Sequence, residues 1–287
     1  MLRRLFLPLF LAVWAIRKFV LGLLLLALPI LLYLTFAREP VFSVEDDVAL
    51  GQTTVASIEA NPEEYPLLSR EEYPEAFEHV QAIVERAVAS PEVEFADVFA
   101  YRDVRIIHDD GVLNAFCVPG GFVYVYTGLI RYLDAEDDLA GVLGHEIAHA
   151  EKRHSSVRMQ REFGTQTMLQ LFALGAATSI GDVVVASAVR ELLGLRYSRE
   201  QEAESDQLSV AYLDGSGYAC DGAASFFEKV LETGDDVGIP AWLSDHPDAR
   251  TRVADIRAAA ELRGCSVEPM GGDRWSRLQA SLPPAAP

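Results

Sequence analysis

Apolar residues recur at helical spacing over residues 45 to 60 (Val48, Leu50, Val55, Ile58) and again over 75 to 89 (Phe77, Val80, Ile83, Val84, Val88), which predicts two packing helices. The proline-rich string NPEEYPLLSREEYP separates them, because proline neither donates a backbone hydrogen bond nor fits a helix interior. From Val104 the period shortens. VRIIH, a DDG turn, VLNAFCV, a PGG turn and FVYVYTG read as short strands joined by tight turns, so a small, mostly antiparallel sheet is expected. Helical spacing returns after Asp137 or Asp138, either of which can cap a helix running through LAGVLGHEIAHAEKRHSSVRMQREF, with Leu139, Val142, Leu143 and Ile147 as its apolar stripe. Residues 168 to 195 are apolar but interrupted by Gly175, Gly181, Asp182 and Arg190, which favours a hairpin of core helices over a membrane-adjacent flap. Further helices are expected over 199 to 213, 222 to 231 and 249 to 262, followed by a disordered tail, SLPPAAP.

The N-terminus has a different pattern. Residues 19 to 37 carry no charge, and as a helix they would span about 28 Å, close to the thickness of a bilayer core. Arg3, Arg4, Arg17 and Lys18 precede this run and only Arg38 follows it, so the positive-inside rule puts the N-terminus in the cytoplasm and the body outside. A signal peptide cut after Ala37, where Thr35 and Ala37 are small, is the alternative; the length of the run favours a retained anchor. The expected organisation is an anchor at 1–38, one catalytic domain at 39–278 and a tail at 279–287, with the body of a single-pass inner-membrane protein facing the periplasm.

Charge and cysteines narrow the function classes. The chain has 24 basic and 43 acidic residues; five of the basic ones precede the first acidic residue, Glu39, so the body is strongly anionic and repels phosphate backbones. Nucleic acid is excluded as a partner on that ground. Cys117, Cys220 and Cys265 form no C-x-x-C pair, which argues against a zinc ribbon or a thioredoxin-like site. Cys117 reads as a buried strand residue, while Cys220 and Cys265 can pair in an oxidising compartment.

The chemistry concentrates at His145-Glu146-Ile147-Ala148-His149. Spacing of i and i+4 brings two imidazoles to one helix face, where both can hold one Zn2+, and Glu146 projects beside that ion in the position of a general base. Zinc lowers the pKa of a water toward about 7, and the carboxylate can take its proton as the water attacks a peptide carbonyl. Such a string arises by accident in on the order of 1% of chains of this size. A catalytic zinc needs a third protein ligand, and YSREQEAESD downstream offers Glu200, Glu202 and Glu204, which spacing alone does not separate. Glu202 and Asp206 lie four apart, so one face can offer the first to the metal and the second to a ligand histidine.

The E-x-x-x-D element after H-E-x-x-H resembles that of metallopeptidases of the HtpX and CAAX prenyl protease type. Asn114-Ala115-Phe116, Pro119-Gly120-Gly121, Tyr126-Thr127-Gly128, Arg153-His154, Tyr197-Ser198-Arg199 and His246-Pro247 fit the same family in order, over about residues 46 to 260. The resemblance implies an α+β, mainly helical, zincin-like domain with a small antiparallel sheet packed by the H-E-x-x-H helix. It also implies a zinc ligand at Glu202, a supporting role for Asp206, and proteolysis of membrane-associated or misfolded envelope proteins. With one expected span and no helical repeats after His246-Pro247, the chain is most similar to single-anchor or soluble bacterial members.

The remaining candidates are weaker. His246 can stabilise an oxyanion or fill the metal's fourth position, or simply hold a turn before Pro247. His154 and Arg199 are candidates for ordering the metal ligands. The strand region with Asn114, Phe116, Gly120 and Gly121 is a candidate edge for an extended peptide. The expected activity is a zinc-dependent endopeptidase; the alternative is a zinc-binding chaperone or scaffold for unfolded envelope proteins, which would have no use for Glu146.

Overall fold

The computed structural model describes residues 14, 16–23, 25–29, 42–162, 196–233, 242, 246 and 249–285. The helix α1 (Val44–Glu59) starts at Ser43, whose hydroxyl accepts from Asp46 N while Asp46 accepts from Ser43 N, so two otherwise orphaned donors are satisfied. The helix α2 (Pro74–Val88) opens on proline, whose missing N–H is harmless in a first turn. Between α2 and the next helices lie three strands, β1 (Val104–Ile107), β2 (Ala115–Val118) and β3 (Phe122–Tyr126). Then come α3 (Thr127–Tyr132), α4 (Glu136–Glu151), α5 (Arg199–Leu213), α6 (Gly222–Thr233), α7 (Ala249–Arg263) and α8 (Arg274–Ser281). The fold is mainly helical with one small sheet, as expected.

The sheet has the order β1-β3-β2. The central strand β3 is buried throughout: Val123 and Val125 join the core of α2 and α4, while Phe122, Tyr124 and Tyr126 meet Val55 and Ile58 of α1 on the other face. This is the alternation of a strand covered on both sides. Its pairing with β2 is antiparallel, but its pairing with β1 is parallel, so only one of the two pairings has the expected direction. The DDG segment explains the difference. Asp109 O accepts from Gly128 N and Asp110 pairs with Arg131, so the segment folds onto the start of α3 and does not close a hairpin. The outer side of β1 is bridged by Leu67 to Ile107, whereas β2 is the opposite edge.

The helix α4 runs through the core, and α5 and α6 lie against it. A Cβ at Gly141 would come within 2.0 Å of Ala223 N, so only glycine allows α6 to approach that closely. Asp138 caps α4 from its third position, accepting from Asp134 N and Ala135 N. The helix is shorter than the sequence pattern predicts: it ends at Glu151, Arg153 takes φ 53°, and helix resumes over 154–162. That left-handed turn costs roughly 1–2 kcal/mol. It is held by the Arg153 side chain, which donates to Asp47, Phe42 O and Ser43 O at the start of α1.

Cys220 and Cys265 form a disulfide that joins the start of α6 to the end of α7, and Cys117 is free and buried. The C-terminal segment is more ordered than expected. In α8, Leu278 is buried, Gln279 donates to Ile130 O, and Leu282 is buried beyond the helix, because these side chains cover α3. At the other end, residues 16–23 and 25–29 are helical with exposed apolar side chains, including Phe19, Leu21 and Leu26. No helix among the described residues is long and apolar enough to cross a membrane. The rest of the expected anchor, the cleavage site after Ala37 and the apolar stretch 168–195 lie outside the described residues.

Candidate metal centre

Three parts of the fold converge on one buried point. From α4 come His145, Glu146 and His149, at helical spacing. From α5, whose start is fixed by reciprocal hydrogen bonds between Ser198 and Gln201, come Glu202 and Asp206 on one face. The third part is Trp242 and His246, linked by His246 N donating to Trp242 O, with α7 contributing Arg252. One ligand atom each from His145, His149, Glu202 and His246 can be chosen so that all lie within 4.8 Å of one another, and all four residues are buried.

The spacing matches a metal shell. His145 Nε2 is 2.9 Å from His149 Nε2 and 3.3 Å from His246 Nδ1, and Glu202 Oε1 is 2.9 Å from His246 Nδ1 and 3.6 Å from His149 Nε2. Ligands about 2.0–2.1 Å from a tetrahedral zinc would stand about 3.3–3.4 Å apart. Second contacts orient the rings. His145 Nδ1 is 2.9 Å from Asp206 Oδ1, so its proton belongs there and the Nε2 lone pair faces the cluster. Tyr197 stacks on His149 at 3.9 Å between ring centres and shares a hydrogen bond with Ser155. Glu202 Oε2 is buried without a hydrogen bond; Arg252 Nη1 lies 2.7 Å away but out of line for one. A converging set of three imidazole nitrogens and one carboxylate fits a zinc ion.

The electrostatics agree. Burial raises the cost of ionising Glu202, but His246 and His145 outweigh it and hold this carboxyl far below its usual range. Asp206 is likewise lowered against its burial, by hydrogen bonds from Arg252 and His145. Burial, and then the neighbouring His145, push His149 well down, so its imidazole is neutral and available as a donor. Burial and Arg252 also press on His145, yet its contacts to Asp206 and Glu202 win and raise it to about 9, so these two carboxylates make its surroundings favour positive charge.

Beside the cluster, Glu146 Oε1 accepts from Trp242 Nε1 at 2.7 Å and lies 3.4 Å from His246 Nε2. His154 Nδ1 is 2.9 Å from His149 Nδ1, and its Nε2 pairs with Glu204 at 3.3 Å. Among the competing acidic residues, Glu202 alone enters the cluster: Glu204 faces His154 and Glu200 is exposed. Arg199, expected to order the ligands, is exposed in the first turn of α5.

The proposed peptide-binding strand divides in two. Asn114 and Phe116 are half-buried at the edge strand, with Phe116 stacked on Tyr124 at 4.7 Å and Leu113 O accepting from Trp242 N. Gly120 and Gly121 are instead buried in the β2–β3 turn at φ 78° and 85°, where a Cβ would strike Val48 and Phe99, so they are turn residues without access to a substrate.

Trp242 and Arg252 were not foreseen. Arg252 had a faint signal: it stands at the helical spacing of buried Ile256 and Ala260, a charge in register with an apolar stripe. Trp242 had none.

A family model described as Peptidase family M48 matches residues 74–260. The chain is 30% identical over 164 residues to the beta-barrel assembly-enhancing protease of Escherichia coli (strain K12), covering 54% of this chain and 34% of that protein. It is 27% identical over 147 residues to the mitochondrial metalloendopeptidase OMA1 of Arabidopsis thaliana (51% and 29%), and 30% identical over 149 residues to the metalloprotease LoiP of E. coli (50% and 58%). The matched regions therefore cover from under a third to less than two thirds of these relatives.

Proposed function

The chain belongs to peptidase family M48, and from that premise we propose that it is a zinc-dependent endopeptidase acting on unfolded or membrane-associated proteins of the bacterial envelope. The observation that carries this reading is the convergence of His145, His149, Glu202 and His246 with Glu146 at their side. One Zn2+ held by His145, His149 and Glu202 would supply Lewis acidity, lowering the pKa of a water and polarising a carbonyl.

The chain's own residues do the rest. Asp206 accepts a hydrogen bond from His145 Nδ1 and so fixes its tautomer; Tyr197 fixes the plane of His149. Glu146 is the general base: Trp242 orients one of its oxygens, and the carboxylate accepts the proton that the attacking water releases. The edge strand β2 holds an extended peptide by main-chain hydrogen bonds, with Asn114 and Phe116 on that edge. His246 would add a fourth donor to the three that hold the ion. The Cys220–Cys265 disulfide supports an oxidising compartment, in keeping with a body outside the cytoplasm and an N-terminal anchor in the inner membrane.

The test is direct. The purified chain should bind one zinc, with severe loss in His145→Ala, His149→Ala and Glu202→Ala, and should cut an unfolded protein unless a chelator is present. Zinc retained in Glu202→Ala but lost in Glu204→Ala would move the third ligand, and a zinc-loaded chain that binds unfolded protein without cutting it would favour the scaffold. Protease added to intact spheroplasts should reach the body; protection until the inner membrane is lysed would refute the topology.

A further inference from the structure

We propose that Arg252 is a positioning residue that holds Glu202 to a single ligand oxygen and ties this ligand, Asp206 and the His246 backbone into one unit. The inference rests on the metallopeptidase reading, since it assigns a role toward the metal.

Arg252 is 4% exposed and uses both sides of its guanidinium fork. Nε donates to Asp206 Oδ2 at 2.7 Å and Nη2 to Asp206 Oδ1 at 2.5 Å, a bidentate pair. Nη1 donates to His246 O at 3.4 Å and stands 2.7 Å from Glu202 Oε2. The guanidinium carbon lies 4.3 Å from the centre of Phe227 and 5.1 Å from that of Trp242, so the aromatic rings also restrict its plane. One side chain thus touches a ligand, the partner of a second ligand, the backbone of a third, and the tryptophan that orients Glu146.

The two oxygens of Glu202 are not equivalent. Oε1 lies 2.9 Å from His246 Nδ1 and 3.6 Å from His149 Nε2, while Oε2, though 3.5 Å from His145 Nε2, has Arg252 Nη1 nearer, at 2.7 Å. A carboxylate with both oxygens free can chelate through both, which would consume the position a catalytic metal must keep open. The Arg252 charge 2.7 Å from Oε2 competes with the metal for that oxygen and so disfavours chelation. A lysine places one point charge near Asp206 or Glu202 but lacks the planar fork that serves both at once.

The experiment compares the full-length wild type with Arg252→Lys and Arg252→Met, measuring thermal unfolding, zinc affinity by chelator competition, and the visible spectrum after cobalt substitution. Both variants should bind zinc about 10–100-fold more weakly, and their cobalt bands should weaken as Glu202 chelates through both oxygens. Lysine should not rescue either readout. Wild-type affinity with a wild-type cobalt band in Arg252→Lys would overturn the proposal, because charge alone would then suffice. Should Arg252→Met not fold, Arg252→Met with Asp206→Asn removes the charge together with its partner. Its cobalt band must then be weaker than that of Asp206→Asn alone, and an equal band overturns the proposal. A wild type that binds no zinc would instead refute the metallopeptidase reading, and this inference with it.

Discussion

Glu146 and Glu151 stand five residues apart on the same helix and are buried alike, 2% and 6% exposed, yet their surroundings treat them differently. Glu151 is surrounded by donors: Glu94 N at 2.8 Å, Phe95 N at 3.2 Å and Tyr101 OH at 2.6 Å. Those bonds pin the 94–101 loop and offset the unfavourable end of the helix dipole, where a carboxylate meets unpaired carbonyls. Glu146 has one firm donor, Trp242, and faces the histidine cluster with acceptor capacity to spare. Burial alone therefore does not mark a catalytic acid or base. What marks it is unused hydrogen-bonding capacity aimed at a place where a reactant can sit.

The sharpest way to break this contrast is to neutralise each carboxylate. Glu146→Gln should lower kcat by about 100 to 10,000-fold, because an amide cannot take the proton, with zinc content and urea midpoint unchanged. Glu151→Gln should leave kcat within a few-fold. Near-normal turnover in a zinc-loaded Glu146→Gln would place the base elsewhere, whereas zinc loss would make Glu146 a support of the metal site.

Away from both carboxylates, Cys220→Ser with Cys265→Ser should lower stability by about 2–4 kcal/mol, as expected for a crosslink spanning 45 residues. Cleavage at low temperature should persist; its loss would mean that the disulfide shapes the site itself. Next in size, Glu151→Gln should cost about 1–3 kcal/mol in urea denaturation, since it weakens three buried hydrogen bonds at once. No change would show those donors to be satisfied by water. Smaller still, Trp242→Phe keeps the ring that stacks on His246 at 4.3 Å but removes the donor to Glu146. It should lower kcat about tenfold, or about 1.4 kcal/mol, and cost about 1–2 kcal/mol of stability through the lost buried ring volume and donor.

The smallest effect concerns pH. Burial holds the Glu151 carboxyl above its ordinary value even against the lowering pull of its donors. The folded state therefore binds this proton more tightly than the unfolded one, so the carboxyl's contribution to stability is fully present below the unfolded value and is lost as pH rises through the folded value. The stability difference between wild type and Glu151→Gln should consequently shift in favour of wild type as pH falls toward the ordinary carboxylate range. A flat difference would mean that the donors cancel the burial.

The helices at 44–59, 74–88 and 199–213 and the three strands were legible because each has its own apolar period and its own caps or turns. So were His145, Glu146 and His149, because i and i+4 geometry is local and needs no knowledge of the rest of the chain. Glu202 was one of three equal candidates by spacing and was singled out only by resemblance. The left-handed turn at Arg153 was invisible, since its reason is an aspartate more than a hundred residues earlier.

Arg252 and Trp242 were invisible as parts of the site for the same reason: they lie 46 and 96 residues from the atoms they hold. By itself the sequence determined which side chains could bind a metal and accept a proton, because covalent spacing on one helix sets that. Only the tertiary structure decided which carboxylate joins them, which arginine restrains it and which glutamate stays unsaturated. Those choices depend on helices packing across the core, and packing is set by complementary shape and burial summed over the whole chain.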